Sequence, residues 1–211
     1  MGTKQSKKRR LEKREKSINN QNNSEQEDGK NEKIDFSKIR IGFLGDAEVG
    51  KTSIIKSLIE REFDSECLPT VGQDKFEKKE CLDNGKEIKL TIWDTSGQER
   101  FRSIALKTIK HIDGIVLVFD VTNKKSFDDL NDWITIIRNN FLNPIVILCG
   151  NKADIDKQDW EVGRRDIERL AKNENMRYFE ISAKNMDGID DGFNFLVNKI
   201  YDSKIKNIMD Y

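Results

Sequence analysis

The sequence predicts an α/β fold in which a six-stranded, mostly parallel sheet is covered by helices on both faces. From residue 39 onward, short runs rich in β-branched and aromatic residues alternate with longer amphipathic runs, which is typical of βαβ units. Between the second and third short runs lies Asn84-Gly85, a pair that favours a tight hairpin because both residues tolerate positive φ. These two strands should therefore be antiparallel.

Hydrophobic periodicity predicts the individual elements. The six strands are expected at residues 39–44, 76–82, 88–93, 115–120, 145–150 and 177–181. Two amphipathic cover helices are expected because apolar residues recur at spacings of three and four. The first contains Phe127, Leu130, Ile134, Ile137 and Phe141, and the second contains Phe193, Leu196, Val197 and Ile200.

Length, charge and cysteine usage exclude several classes of protein. A chain of 211 residues suits one globular domain plus tails. Its 38 basic and 38 acidic side chains balance, so no overall field draws it to nucleic acid, and no nucleic-acid partner is expected. Its apolar runs are far shorter than the roughly 18 residues that span a bilayer. The three cysteines are widely spaced, which favours a reducing compartment.

The first 36 residues differ in composition from the rest. They are filled with Lys, Arg, Asn, Gln, Glu and Ser and contain few apolar side chains, which favours a disordered basic and polar arm. The folded domain is expected over residues 37–203. A short C-terminal tail is expected at residues 204–211.

A phosphate-binding loop is predicted directly after the first strand, where the chain matches G-x-x-x-x-G-K-[ST] and continues into a helix. The residues expected to bind nucleotide here are Gly45, Asp46, Ala47, Glu48, Val49, Gly50, Lys51, Thr52 and Ser53. Glycines allow backbone N–H groups to curl around an anion, Lys51 supplies charge to the β- and γ-phosphates, and the Thr52 hydroxyl suits Mg²⁺. By itself the loop indicates a nucleoside triphosphate, which leaves a kinase or an ATPase open.

A second motif concerns the base of the nucleotide. Residues 151–154 follow the strand at 145–150 and read N-K-x-D. They resemble the guanine-recognition motif of small GTPases, in which the aspartate, here Asp154, accepts from guanine N1–H and the exocyclic amine. Adenine would leave this carboxylate unpaired. The resemblance implies GTP and GDP as ligands, with Asn151, Lys152 and Asp154 in the binding site.

Two further positions of the small-GTPase pattern are present. Ser182, Ala183 and Lys184 follow the strand at 177–181 and resemble the family's second base-contacting loop. Phe63, seven residues before Thr70, corresponds to the aromatic residue that packs against the base. The fold implied by the resemblance is the P-loop NTPase small G domain, in agreement with the predicted strands and helices.

Asp94, Gly97 and Gln98 belong to a D-x-x-G-Q segment that resembles the family's γ-phosphate sensor. The resemblance implies that Asp94 holds Mg²⁺ through water, that the Gly97 N–H reaches the γ-phosphate and that Gln98 orients the attacking water. Thr70 corresponds to the switch threonine, which binds Mg²⁺ only while the γ-phosphate is present. The expected catalytic residues are therefore Gln98, Lys51 and Thr70, and loss of the γ-phosphate would release both loops.

Within this superfamily the chain is most similar to the Rab branch, whose run K-L-x-I-W-D-T-x-G-Q-E-R-F-R-S-I is present at residues 89–104. The resemblance implies a monomeric GTPase that binds Mg²⁺, hydrolyses GTP slowly and recruits effectors in vesicle-mediated transport. An exchange factor and a GTPase-activating protein would act on it. A scaffold that binds GTP but hydrolyses it poorly is the alternative.

One departure from the Rab pattern concerns the second strand. Where Rab proteins usually have the aromatic residue directly after the aspartate, this chain has Asp74, Lys75 and then Phe76. An additional residue predicts a bulge or a shift in this strand.

The chain ends also differ from those of Rab proteins. The sequence has no C-terminal cysteine for a prenyl anchor, but residues 1–6 fit the N-myristoylation pattern M-G-x-x-x-[ST], with Gly2 as the acceptor. A single myristoyl chain binds membranes weakly and needs a second signal. Residues 1–16 carry eight Lys or Arg against two Glu.

Within that segment, Lys7, Lys8, Arg9 and Arg10 could face an anionic leaflet. We therefore expect a cytoplasmic protein, peripheral on the cytosolic face of an intracellular or plasma membrane. A soluble GTPase with a solvated basic tail is the alternative.

Overall fold

The computed structural model describes residues 38–61, 63, 70, 73–95 and 111–209, with side chains described up to residue 206. Several predicted features lie outside these residues: the arm at 1–36 with Gly2, Lys7, Lys8, Arg9 and Arg10, and the sensor residues Gly97 and Gln98. These features stay predictions.

All six predicted strands are present, with their ends shifted by a few residues. They are β1 Lys38–Leu44, β2 Gln73–Cys81, β3 Glu87–Thr95, β4 Gly114–Asp120, β5 Ile145–Asn151 and β6 Arg177–Glu180. The described α-helices are α1 Lys51–Glu60, α2 Lys124–Asp128, α3 Leu130–Asn140, α4 Arg164–Asn173 and α5 Ile189–Met209. A 3₁₀ turn at Lys157–Asp159 follows β5.

The strands form one sheet in the order β2-β3-β1-β4-β5-β6. Only β2 and β3 are antiparallel, joined through the Asn84-Gly85 turn, in which Gly85 has φ 79°. The pairs β1–β3, β1–β4, β4–β5 and β5–β6 are parallel. The predicted mixed sheet is thus confirmed. Because the parallel strands share a direction, the loops after β1, β3, β4, β5 and β6 all leave the sheet at one edge.

The expected bulge in β2 is wrong. Pairing with β3 is continuous from Gln73 opposite Thr95 to Cys81 opposite Glu87. Lys75 lies outside, with its ammonium 5.9 Å from the centre of the Trp93 ring, whereas Phe76 packs against the core. The alternative, a shift of this strand relative to Rab proteins, stays a prediction.

Two apolar cores lie on the two faces of the sheet. One core contains buried side chains of α1 and α5, among them Leu58 and Leu196, and the other contains those of α2, α3 and α4, including Trp133. The second predicted cover helix is present as α5. The first is divided in the structure: Phe127 lies in α2, the next three residues of the pattern lie in α3, and Phe141 follows the end of α3 in an extended conformation. The inward residues of both are buried. No helix in the described part of the chain is both long and apolar enough to cross a membrane.

Helix α5 continues beyond the predicted domain boundary at residue 203. Lys204 donates to the Lys38 carbonyl at 2.8 Å and pairs with Asp113 at 2.9 Å, and Ile205 packs against the core. Asp113 also accepts from the Arg40 N–H at 2.7 Å. The boundary at 203 stays a prediction, but the helix itself does not end there.

Candidate functional site

The loop between β1 and α1 requires glycine at both ends. Gly45 has φ 140°, and a Cβ there would lie 2.1 Å from the Val118 carbonyl oxygen of β4. Gly50 has φ 90°, and a Cβ there would lie 2.3 Å from the Asn151 side-chain nitrogen. Any larger residue would push the loop away from β4 and β5. Both positions of the predicted pattern therefore require glycine for two reasons: a Cβ would clash with a neighbouring strand, and φ is positive.

Lys51 lies across this loop at the start of α1. Its side chain is 6% exposed, and its ammonium donates to the carbonyls of Gly45 at 2.8 Å and Asp46 at 2.6 Å. The buried positive charge is thus fixed inside the curve of the loop. The adjoining N-terminus of α1 adds backbone N–H groups and the positive end of the helix dipole. Together they form a site suited to a phosphate anion.

Three side-chain oxygens meet beside the loop. The Thr52 hydroxyl lies 2.5 Å from Asp94 Oδ2 and 2.9 Å from the Thr70 hydroxyl, and Thr70 donates to the same carboxylate oxygen at 3.2 Å. Asp94 is fully buried, and this burial raises the pKa of its carboxyl above the usual value, partly offset by the two hydroxyls and the Lys51 charge. A nearby dication would favour the ionised form.

The donor set fits Mg²⁺. No donor in the described part of the chain reaches the second carboxylate oxygen of Asp94, although this atom is buried. Such an oxygen is an available partner for a metal-bound water. Mg²⁺ prefers oxygen ligands and usually combines one or two protein groups with waters and substrate phosphates. Within the described residues no three His, Cys, Asp or Glu side chains are grouped as a metal cluster.

Asn151, at the end of β5, connects two loops. Its side-chain N–H donates to the Val49 carbonyl in the phosphate loop at 2.8 Å. Its side-chain oxygen accepts from the Ala183 N–H at 3.1 Å. The residue is 2% exposed. Asn151 therefore holds the phosphate loop and the predicted second base loop at a fixed separation.

Asp154 contacts the same loop that Asn151 holds, at residues 182–184. Its carboxylate accepts from the Ser182 hydroxyl at 2.7 Å and lies 3.7 Å from the Lys184 ammonium. The Ser182 hydroxyl in turn accepts from the Asn185 N–H at 3.1 Å. The carboxylate is thus oriented by the same loop that Asn151 positions.

Asn151 and Asp154 line one cleft with a volume of about 260 Å³. Its lining residues are Glu48, Gly50, Ser53, Phe63, Asn151, Lys152, Asp154, Ile155, Ala183 and Lys184. Phe63 is 40% exposed, so its ring is free to pack against a planar base. All but Ile155 were predicted from the sequence. A larger groove of about 900 Å³ lies at the opposite edge of the sheet, beside Ile145 and Arg177, and contains no predicted site residue.

Two residues that contact the site were not predicted to do so. Asp120, at the end of β4, pairs with the Lys152 ammonium at 2.5 Å and accepts from Thr122. Its place at the carboxyl end of a parallel strand was an available signal. The Trp133 indole N–H donates to the Asp46 carboxylate at 2.8 Å, across 87 residues of sequence. Nothing in the local sequence around Trp133 indicates this contact.

Comparison with known proteins supports a nucleotide-binding function for this chain. The Ras family model matches residues 40–202. Ras-related protein Rab-13 of Rattus norvegicus is 39% identical over 158 residues, which cover 74% of this chain and 77% of that protein. A probable Rab-related GTPase of Acanthamoeba polyphaga mimivirus is 36% identical over 175 residues, covering 82% and 81%. Human Ras-related protein Rab-39A is 35% identical over 178 residues, covering 81% of each chain.

The two buried hydrogen bonds of the Asn151 amide should stabilise the fold. Asn151→Ala should lower the free energy of unfolding by roughly 2 to 4 kcal/mol, because it leaves the Val49 carbonyl and the Ala183 N–H without their buried partner. Urea unfolding followed by circular dichroism measures this change. Asn140→Ala is the matched control, since that exposed amide bonds only the Ile136 carbonyl of its own helix. Equal stability of the two variants would show that Asn151 does not join the loops.

Proposed function

The chain belongs to the Ras family and is a Rab-type small GTPase of vesicle traffic, and we propose that the cleft lined by Asn151 and Asp154 is where it binds and hydrolyses GTP. The main support for this proposal is that groups suited to different parts of the ligand lie together at one edge of the sheet. The buried Lys51 ammonium, the oxygens around Asp94 and the Asp154 carboxylate come from separate segments and meet at one edge of the sheet. They suit the phosphates of a nucleotide, the metal ion that accompanies them, and the base.

We propose that the phosphates bind the loop at residues 45–52. Lys51 would contact the β- and γ-phosphates, with the loop N–H groups and the start of α1 around them. Thr52, Thr70 and Asp94 would hold Mg²⁺, Asp94 through a water molecule. The ion would neutralise charge that develops on the phosphates during transfer.

Hydrolysis gives GDP and inorganic phosphate when water attacks the γ-phosphorus and the bond to the β–γ bridging oxygen breaks. We propose that Gln98 orients this water and that Gly97 binds the γ-phosphate. Neither residue is among those described, so their roles rest on the family pattern. Unassisted turnover should be roughly 10⁻⁴ to 10⁻² s⁻¹, rising by about 10³ to 10⁵ with an activating protein.

Asp154 would select guanine. Its carboxylate is held by Ser182, which supports a fixed orientation toward the base. Guanine offers two N–H donors to such a carboxylate, whereas adenine offers no matching pair. Phe63, Lys152, Ala183 and Lys184 would complete the pocket around the base.

Thr70 would couple the nucleotide to the switch. Its hydroxyl contacts both Thr52 and Asp94, so its position depends on whatever occupies that site. Loss of the γ-phosphate would remove one partner and release the segment. Rab-type proteins work with exchange factors, activating proteins and effectors, and we propose that this chain acts as a monomer with such partners.

Membrane attachment is proposed from the arm alone. The motif around Gly2 supports N-myristoylation, and the basic residues Lys7, Lys8, Arg9 and Arg10 would add attraction of about 1 kcal/mol each to an anionic leaflet. Together they satisfy the two-signal requirement for stable anchoring. The protein would then be peripheral on the cytosolic face of a membrane. A soluble GTPase is the alternative.

Base selection is tested with Asp154→Asn. The amide should weaken GDP binding by roughly 10²- to 10⁴-fold and favour xanthosine diphosphate, whose C2 oxygen accepts from an amide. Competition of both nucleotides against a fluorescent GDP analogue measures the preference. Asp156→Asn is the control, because Asp156 is exposed and contacts Gln158 in the 3₁₀ turn. An unchanged preference in Asp154→Asn would remove Asp154 from base recognition.

Hydrolysis is tested with Gln98→Leu in a single-turnover assay on GTP-loaded protein. The rate should fall by at least about tenfold while GTP affinity stays the same, because the side chain acts on the water and not on the bound nucleotide. Gln158→Leu, an exposed glutamine after β5, should hydrolyse at the wild-type rate. Equal rates for Gln98→Leu and wild type would contradict the proposed mechanism.

Anchoring is tested by co-expression with an N-myristoyltransferase. Intact mass should rise by one myristoyl group, and the protein should float with anionic liposomes in a manner that depends on Gly2 and weakens with salt. Gly2→Ala should abolish both effects, whereas Gly29→Ala should change neither. An unmodified Gly2 with no flotation would favour the soluble alternative.

A further inference from the structure

The phosphate loop has a second anchor besides Asn151. Trp133 of α3 is 1% exposed, and its indole N–H donates to the Asp46 carboxylate at 2.8 Å. A buried indole N–H needs a partner, and a charged acceptor makes the bond about twice as strong as a neutral one. Asp46 is therefore fixed from the side of α3.

Asp46 is also bonded to Lys51. Its backbone carbonyl accepts from the Lys51 ammonium at 2.6 Å, while its carboxylate faces the indole. The indole, Asp46 and the ammonium are thus connected in series. A displacement of the Asp46 backbone away from Trp133 would also move the carbonyl that orients Lys51.

The direction of the Asp46 carboxylate matters for an anion in this loop. Asp46 follows Gly45, whose approach to β4 leaves no space for a Cβ. A carboxylate that turned toward a bound phosphate would repel it at short range. The bond to Trp133 keeps the negative charge directed at α3 instead.

We propose that Trp133 is a positioning residue for the phosphate loop, and that its hydrogen bond to Asp46 slows the release of bound guanine nucleotide. This inference rests on the proposed binding of nucleotide at residues 45–52. It assigns α3, which contributes no residue to the cleft, a direct influence on the lifetime of the bound state.

The test uses full-length protein loaded with a fluorescent GDP analogue in the presence of Mg²⁺. Trp133→Phe removes the donor and keeps an aromatic ring, and Asp46→Ala removes the acceptor. Each should speed release by about tenfold. The double variant should release no faster than the faster single variant, because both changes break the same bond. Asp46→Asn retains an oxygen acceptor and should lie between wild type and Asp46→Ala.

The control is Ile137→Ala in the same helix. Ile137 is 5% exposed and belongs to the same core as Trp133. This variant should lower the melting temperature at least as much as Trp133→Phe and leave nucleotide release unchanged. Faster release in Ile137→Ala would show that general loosening of α3 is sufficient, and would overturn the proposal.

A spectroscopic readout isolates the bond itself. The chain has three tryptophans, so Trp133→Phe identifies one indole signal in a ¹H–¹⁵N spectrum. Asp46→Ala should move that signal upfield and leave the other two in place. An unmoved signal, additive effects in the double variant, or wild-type release in Trp133→Phe would each overturn the role of Trp133. Failure of the wild-type protein to bind GDP would instead overturn the proposed function.

Discussion

The Asn151 amide joins the two halves of the candidate site. With one hydrogen bond to Val49 and one to Ala183, it holds the phosphate loop and the base loop together from the end of a central strand. Neither loop contains regular structure that would fix this separation on its own. The bonds are buried, so each broken bond would leave a backbone group without water or protein to replace it. Among the described contacts, this one side chain therefore links the phosphate loop directly to the base loop.

Sheet topology supplies the rest of the geometry. The phosphate loop follows β1, the Asp94 carboxylate ends β3, and Asn151 ends β5. Parallel pairing brings these ends to one edge. Gly45 lies close to Val118 and Gly50 lies close to Asn151, so the loop packs tightly against β4 and β5. A loop held this closely has little freedom to lose when it binds an anion, which favours tight binding.

Contiguous motifs were readable from the sequence, because residues that act together there are also neighbours in the chain. Lys51 and Thr52 follow the glycine loop directly, and Asp154 lies three residues after Asn151. Trp133 was not readable, since its partner is 87 residues away and the helix periodicity explains its burial equally well. The bulge expected in β2 was wrong for a related reason. A bulge depends on the pairing of β2 with β3, which the local sequence of β2 does not contain, and that pairing is continuous from Gln73 to Cys81.

The nucleotide content of the purified chain tests most directly whether a guanine nucleotide binds at Lys51. Full-length protein would be purified with Mg²⁺ and no added nucleotide, then denatured, and the released nucleotide identified by chromatography. We expect about one guanine nucleotide to be released per chain, and almost none from a Lys51→Ala variant that remains folded. An adenine nucleotide, or an undiminished guanine nucleotide in Lys51→Ala, would contradict this expectation.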